Sequence, residues 1–146
     1  MKCFELTIKD NIAHVVLSRP EKRNSMIKEF WEELPELLLD IDNNARARVI
    51  VITSTGPHFT SGLDTSLFEN LSLSDATSEK ERAVQAQSFF YNEVKRLQKT
   101  FTALEKTRLP IMVAIQGGCI GGGLDFITAC DLRYATKDAF FTIFET

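Results

Sequence analysis

The chain has 146 residues, the size of one ordinary domain, with 44% hydrophobic and 25% charged residues and a net charge of −3. That balance excludes a disordered chain and gives no general attraction to nucleic acid or to a membrane surface; no apolar run approaches the roughly 20 residues that span a bilayer. Cys3, Cys119 and Cys130 lack a CxxC spacing and read as free thiols, and with His14 and His58 far apart no metal site is expected.

Met1-Lys2-Cys3-Phe4 leads directly into a strand-like pattern, so no signal or transit peptide is visible and a cytoplasmic location is expected, an organelle staying open. Phe4 to Ile8 and Ile12 to Leu17 are short β-type runs around Asp10-Asn11, which predicts a hairpin. The polar "SRPEKRNSM" follows, with Asn24 or Ser25 able to cap a helix that starts near Met26. Ile27, Phe30, Trp31, Leu34, Leu37, Leu38 and Ile41 recur at helical spacing. Pro35 lies inside that pattern and predicts a kinked or split helix.

"RVIVIT", from Arg48 to Thr53, is a continuous β-branched run that suits a strand buried on both faces of a parallel sheet. A Gly-containing loop follows over Pro57 to Asp64, then the polar "ENLSLSDATSEKE", which reads as exposed. Phe90, Val94, Leu97, Phe101 and Leu104 mark one helix face, read as core or subunit contact, and Leu109-Pro110 ends it. "IMVAIQ" is a second buried strand. A Gly-rich stretch, a helix from about Gly123 to Cys130, and the strand-like "LRYAT" and "AFFTIF" complete the chain. The order β-β-α-β-loop-α-β-α-β-β, without repeats or a linker, predicts a single α/β domain.

Two glycine loops, "VITSTGPHFTSGLD" and "AIQGGCIGGGLD", each follow a buried strand. Ligands of open α/β folds collect beyond the carboxyl ends of strands, so adjacent strands would bring these loops together. Each loop could then offer a backbone N–H to one oxygen, the layout of an oxyanion hole able to stabilise an enolate. Proton abstraction beside a carbonyl also needs a base. Asp125, at a helix start, either faces a ligand or only complements the helix dipole, and Glu145 follows the final strand-like run. The spacing GGxxGGG is not the GxGxxG of dinucleotide sites, which disfavours a nicotinamide cofactor.

In combination, "LSRPEKRNSM", "HFTSGLD" and "PIMVAIQGGCIGGGLDFITACDLRYAT", in that order, resemble the crotonase family of enoyl-CoA hydratases and isomerases, and most of all its Δ3,5-Δ2,4-dienoyl-CoA isomerases. The resemblance implies a crotonase-like spiral of ββα units. Residues 1–146 would form the N-terminal part of one core domain, truncated before the C-terminal strands and helices, with an apolar patch left exposed. It implies an oxyanion hole formed by the amides of Ser61 and Gly122. Gly62, Leu63 and Asp64 would line the acyl-pantetheine path, and Lys22 and Arg23 would lie near the phosphates of CoA. Asp125 and Glu145 would be the carboxylates of proton transfer, in an isomerase that moves conjugated double bonds during fatty-acid oxidation. An enoyl-CoA hydratase is the alternative; an inactive module that binds CoA esters or intact crotonase subunits is the alternative of another class. The partners implied are an acyl-CoA thioester and further copies in a homo-oligomer, a trimer or hexamer. No cofactor is implied, because CoA belongs to the substrate and the thioester itself acidifies the α-proton.

Overall fold

The computed structural model describes residues 1–69 and 79–144. Strand β1 (Phe4–Lys9) and strand β2 (Ile12–Leu17) form the expected hairpin, with Lys9 opposite Ile12. Asp10 and Asn11 both adopt positive φ, 51° and 62°, as a two-residue turn that follows the strand twist requires. β2 then pairs in parallel with β3 (Val49–Ser54), β3 with β4 (Ile111–Ile115) and β4 with β6 (Leu132–Ala135), giving one five-stranded sheet.

The buried face of this sheet carries Ala13, Val15, Leu17, Ile50, Ile52, Ile111, Val113 and Ile115. Burial on both faces, expected for "RVIVIT", does not occur: Val49, Val51 and Thr53 are only half-buried. The second face holds a polar cross-strand pair, His14 Nε2 to Thr53 Oγ1 at 2.9 Å. Helix α1 (Lys28–Asn43) packs its face of Phe30, Leu34, Leu37, Leu38 and Ile41 into the core. That stripe follows the 3.6-residue period read from the sequence.

Pro35 does not split α1, which runs continuously from Lys28 to Asn43. A proline withholds the N–H that would have bonded to the carbonyl four residues earlier, here that of Trp31. The buried Thr100 of α3 (Glu79–Lys106) supplies the missing donor, its Oγ1 hydroxyl bonding to Trp31 O at 3.1 Å. Neither Asn24 nor Ser25 caps α1; Ile27 is its N-cap residue, without a side-chain cap bond. Both have other work in the site.

The short helix α2 (Ser66–Glu69) precedes the polar stretch, of which residues 70–78 lie outside the described residues. Part of the Gly-rich run is itself a strand that the sequence pattern does not signal. β5 (Gly118–Ile120) pairs in parallel with β7 (Phe140–Thr142) as a separate two-stranded sheet. Helix α4 (Gly122–Thr128) starts immediately after it. Phe126 of α4 lies between Phe59, with ring centroids 5.9 Å apart, and Phe30, 5.7 Å away, so that α1, α4 and the loop after β3 share one aromatic core.

Candidate active site

The two glycine loops meet. A parallel bridge joins Thr60 to Cys119: Thr60 N–H donates to Gly118 O, and Ile120 N–H to Thr60 O, both at 3.1 Å. Phe59 N–H donates to Gln116 O at 2.9 Å, and Gly118 N–H donates to His58 Nδ1 at 3.0 Å. The contact is close enough to dictate composition. A Cβ on Gly62 would lie 2.6 Å from Ile120 O, and one on Gly123 would lie 2.5 Å from Thr60 Cγ2. Gly62 also has φ +83°, a region that side-chain-bearing residues rarely adopt.

A buried asparagine holds the "PEKRNS" loop against the loop after β3. Asn24 Nδ2 donates to Thr55 O at 2.9 Å and to His58 O at 3.2 Å, while Asn24 Oδ1 accepts from Arg19 N–H at 2.8 Å. Thr60 Oγ1 donates to Asn24 O at 2.7 Å. Beside it, Ser25 Oγ donates to Asp64 Oδ2 at 2.7 Å. Sequence reasoning assigned Asn24 to a helix cap, and only its burial reveals the clamp.

Following the amides through this loop locates the available donors. Ser61 N–H donates to Arg23 O at 2.9 Å, so the donor expected at Ser61 is already engaged. Gly62 N–H donates to Thr60 Oγ1 at 3.1 Å and Asp64 N–H to Met26 O at 3.1 Å. Leu63 lies between them, opposite Met26, and among the described residues its N–H has no acceptor. The bend at Gly62, φ +83°, explains the difference: it breaks the extended backbone between Ser61, which is bonded to Arg23 O, and Asp64, which is bonded to Met26 O, and leaves the Leu63 N–H outside both bonds. In the second loop Gly121 N–H donates to Thr142 O at 2.9 Å and Leu124 N–H to Gly121 O at 2.8 Å. Gly122 is the first residue of α4, where an amide has no partner within its own helix.

Leu63 and Gly122 line the same cavity, of about 760 Å³, together with Asp125. Its apolar side is built by Trp31, Val94, Leu97 and Phe101; Gln98, Thr102, Glu105 and Thr128 provide polar surface. A Cβ added to Gly122 would lie 3.6 Å from Met26 Sδ and 4.0 Å from both Phe101 Cζ and Trp31 Cη2, which fixes the aromatic wall beside that amide. Thus the middle of the α3 stripe, read from the sequence as core or subunit contact, lines the cavity, while Phe90 is exposed and Leu104 is core. Glu105 was not among the residues singled out from the sequence; its spacing of four from Phe101 was the available signal.

Other expected site residues are placed differently. The carboxylate of Asp64 braces the loop: Ser66 Oγ donates to its Oδ1 at 2.6 Å and Ser66 N–H at 3.1 Å. Hydrogen bonds from Ser66 and then Ser25 hold its pKa below the usual aspartate value. Gly62 serves the approach of the two loops, and Leu63 lines the cavity. Lys22 ends a 3-10 turn (Pro20–Lys22), Arg23 follows at φ 51°, and both side chains are exposed and outside the cavity lining. Glu145 lies outside the described residues. Among the described residues no group of three or more His, Cys, Asp or Glu could hold a metal ion. Burial pushes the Cys119 and Cys130 thiols up to about 12, values unsuited to a nucleophile.

Parallel strands, paired glycine loops beyond their carboxyl ends and a cavity between α3 and α4 define an α/β enzyme architecture. Its family follows from comparison: the Enoyl-CoA hydratase/isomerase pattern matches residues 7–146, and the chain belongs to that family. It is 42% identical to the mitochondrial Delta(3,5)-Delta(2,4)-dienoyl-CoA isomerase of Mus musculus, over 92% of this chain and 40% of that protein. It is 37% identical to the peroxisomal Delta(3,5)-Delta(2,4)-dienoyl-CoA isomerase of Arabidopsis thaliana, over 92% of this chain and 48% of that protein. Among solved structures, an enoyl-CoA hydratase from Mycobacterium smegmatis superposes with a TM-score of 0.79 at 25% identity, over 97% of this chain and 49% of the other. The chain thus spans less than half the length of these relatives, and the crotonase-like fold expected from the sequence holds over that span. The two isomerases are named as mitochondrial and peroxisomal, compartments other than the cytoplasmic one expected. No helix among the described residues is long and apolar enough to cross a membrane.

Proposed function

We propose that the chain carries the thioester-polarising part of an acyl-CoA isomerase site of the dienoyl-CoA type. The observation that carries this reading is that Leu63 and Gly122, whose amides have no backbone acceptor among the described residues, line one cavity together with Asp125. A thioester oxygen placed between them would receive two N–H donors, and the start of α4 adds partial positive charge. A carboxylate then removes a proton from the acyl chain, the electron pair moves into a dienolate held by the two amides, and a proton returns further along the conjugated system. Asp125 is assigned to this pocket and Glu145 to the proton transfer; the thioester activates its own protons, so no cofactor enters. Similarity to the two dienoyl-CoA isomerases favours double-bond migration over hydration, and the wider family's chemistry points to acyl-CoA thioesters. In such a site Lys22 and Arg23, exposed on the adjoining loop, are assigned to the CoA phosphates, and assembly into a homo-oligomer is assigned by family. The location proposed is that of the relatives, a mitochondrion or peroxisome.

Incubation with a 3,5-dienoyl-CoA, followed by absorbance of the conjugated product, tests the reaction. Replacement of Leu63 by proline removes one proposed donor and should lower the rate on the order of 100-fold or more. Formation of a 3-hydroxyacyl-CoA from a 2-enoyl-CoA, with no dienoyl conversion, would establish the hydratase alternative instead. Binding of acyl-CoA without turnover in either assay would establish the non-catalytic module, a reading favoured by the exposed apolar side chains of Leu132, Tyr134, Phe140 and Phe141.

A further inference from the structure

His58 stands where three loops meet. Its carbonyl accepts from Asn24 Nδ2 at 3.2 Å, which ties it to the "PEKRNS" loop. Its ring nitrogen Nδ1 accepts from Gly118 N–H at 3.0 Å, which ties it to the Gly-rich loop. Continued by one step from the bridge between Thr60 and Cys119, a parallel ladder would send Gly118 N–H to His58 O. That carbonyl is turned to Asn24, and the imidazole takes its place as acceptor. The surroundings are shaped to the ring. A Cβ on Gly117 would lie 2.9 Å from Nδ1 and one on Gly118 3.3 Å from it, and Phe140 meets the imidazole edge to face with ring centroids 6.0 Å apart. An acceptor at Nδ1 means a neutral imidazole with its proton on Nε2.

We propose that His58 is a positioning residue for the Gly122 amide. The inference rests on the acyl-CoA reading of the cavity, and goes beyond it by assigning placement of the second donor to a side chain outside the cavity lining. β5 leads from Gly118 to Ile120, and Gly122 follows two residues later. Two backbone bonds hold this strand to the loop after β3, Thr60 N–H to Gly118 O and Ile120 N–H to Thr60 O. The His58 bond is a third, and it is made by a side chain. It fixes the start of β5 and so the direction in which the strand delivers Gly122. Two amides polarise one oxygen only when both point at it, and a misplacement of about 1 Å in such a site can cost on the order of 100-fold in rate.

Nuclear magnetic resonance of the ring nitrogens in the wild-type chain should show Nδ1 bare and Nε2 protonated; the opposite tautomer would overturn the proposal without any variant. His58→Leu has a similar volume but no acceptor, whereas in His58→Asn a side-chain oxygen takes the Nδ1 position. Exchange of the Gly118 amide should be about tenfold faster in His58→Leu and close to wild type in His58→Asn. Octanoyl-CoA, isotopically labelled at its thioester carbon, then reports on the two amides, because hydrogen bonding lowers the stretching frequency of the carbonyl. That lowering on binding should fall to about half in His58→Leu and return in His58→Asn, with affinity within about twofold throughout. A merely structural role would weaken binding and leave the carbonyl frequency of the bound ester unchanged. Unchanged exchange at Gly118, or an unchanged carbonyl frequency, in His58→Leu would overturn the assignment of His58. His58→Met, also without a nitrogen or oxygen acceptor, takes its place should His58→Leu not fold. Failure of the wild-type chain to bind octanoyl-CoA, with Gly118 exchange as expected, would remove the acyl-CoA reading itself, and with it the role of the Gly122 amide.

Discussion

Gly62 and Gly122 sit within one contact distance of each other yet tolerate different substitutions. At Gly62 a side chain would meet the Ile120 carbonyl at 2.6 Å, and the backbone stands at φ +83°. Gly62→Ala should therefore destabilise the fold by on the order of 1–3 kcal/mol and abolish acyl-CoA binding, as read by urea denaturation and calorimetry. Around Gly122 the nearest atom to an added Cβ is 3.6 Å away, ordinary van der Waals contact, and alanine suits a helix start better than glycine. Gly122→Ala should keep its stability; a loss matching that of Gly62→Ala would show that the close approach is not what constrains the loop. The thiols offer a second test at this scale. Burial pushes Cys3 up to about 11 and both Cys119 and Cys130 to about 12, so thiolate is scarce near neutrality. Iodoacetamide at pH 8 should label the native chain slowly and the urea-unfolded chain fast. Rapid native labelling would contradict the burial of these side chains.

Helix α1 illustrates how a local rule yields to a neighbouring element. Pro35 deprives the Trp31 carbonyl of its helical donor, and α3 returns one through Thr100 Oγ1 at 3.1 Å. Thr100→Val keeps the shape but leaves that carbonyl buried and unpaired, which should cost about 1–3 kcal/mol in thermal or denaturant unfolding. Restoring an N–H with Pro35→Ala should reduce the cost of Thr100→Val, so a double-mutant cycle reads the coupling directly. Additive single effects would show that the hydroxyl has another role. The pairing also fixes α3 against α1, and α3 supplies the cavity wall at Leu97 and Phe101. Strand β5 shows the converse. In Gly118-Cys119-Ile120 a single β-branched residue, Ile120, stands among glycines, which disfavour strands, so the run becomes a strand by pairing with Phe140–Thr142.

At the scale of the whole molecule, core and surface divide unevenly. Phe30, Phe59 and Phe126 are fully buried, whereas Leu132, Tyr134, Phe140, Phe141, Ile143 and Phe144 are exposed, Phe144 to 76%. Surface of this kind favours association. Sedimentation should show a mass that rises with concentration, and Tyr134→Ser combined with Ile143→Ser should shift it toward the monomer; a concentration-independent monomer in the parent would count against that expectation. The hairpin, the existence of strands β3 and β4, the helical stripe of α1 and the meeting of two glycine loops were all legible in residue order, because period, turn chemistry and glycine spacing act over neighbouring residues, whereas the half-buried second face of β3 was not. The particular amides left free were not. Ser61 is occupied by Arg23 O and Asp64 by Met26 O, bonds that cross 38 residues in each case, 61 − 23 and 64 − 26. The Asn24 clamp, the rescue of Trp31 O by Thr100 and the entry of Glu105 into the cavity depend equally on partners distant in the chain. Hydrogen-bond direction and cavity membership are properties of how segments dock, and a one-dimensional pattern of propensities and hydrophobic periods holds no record of which segment comes to lie opposite which.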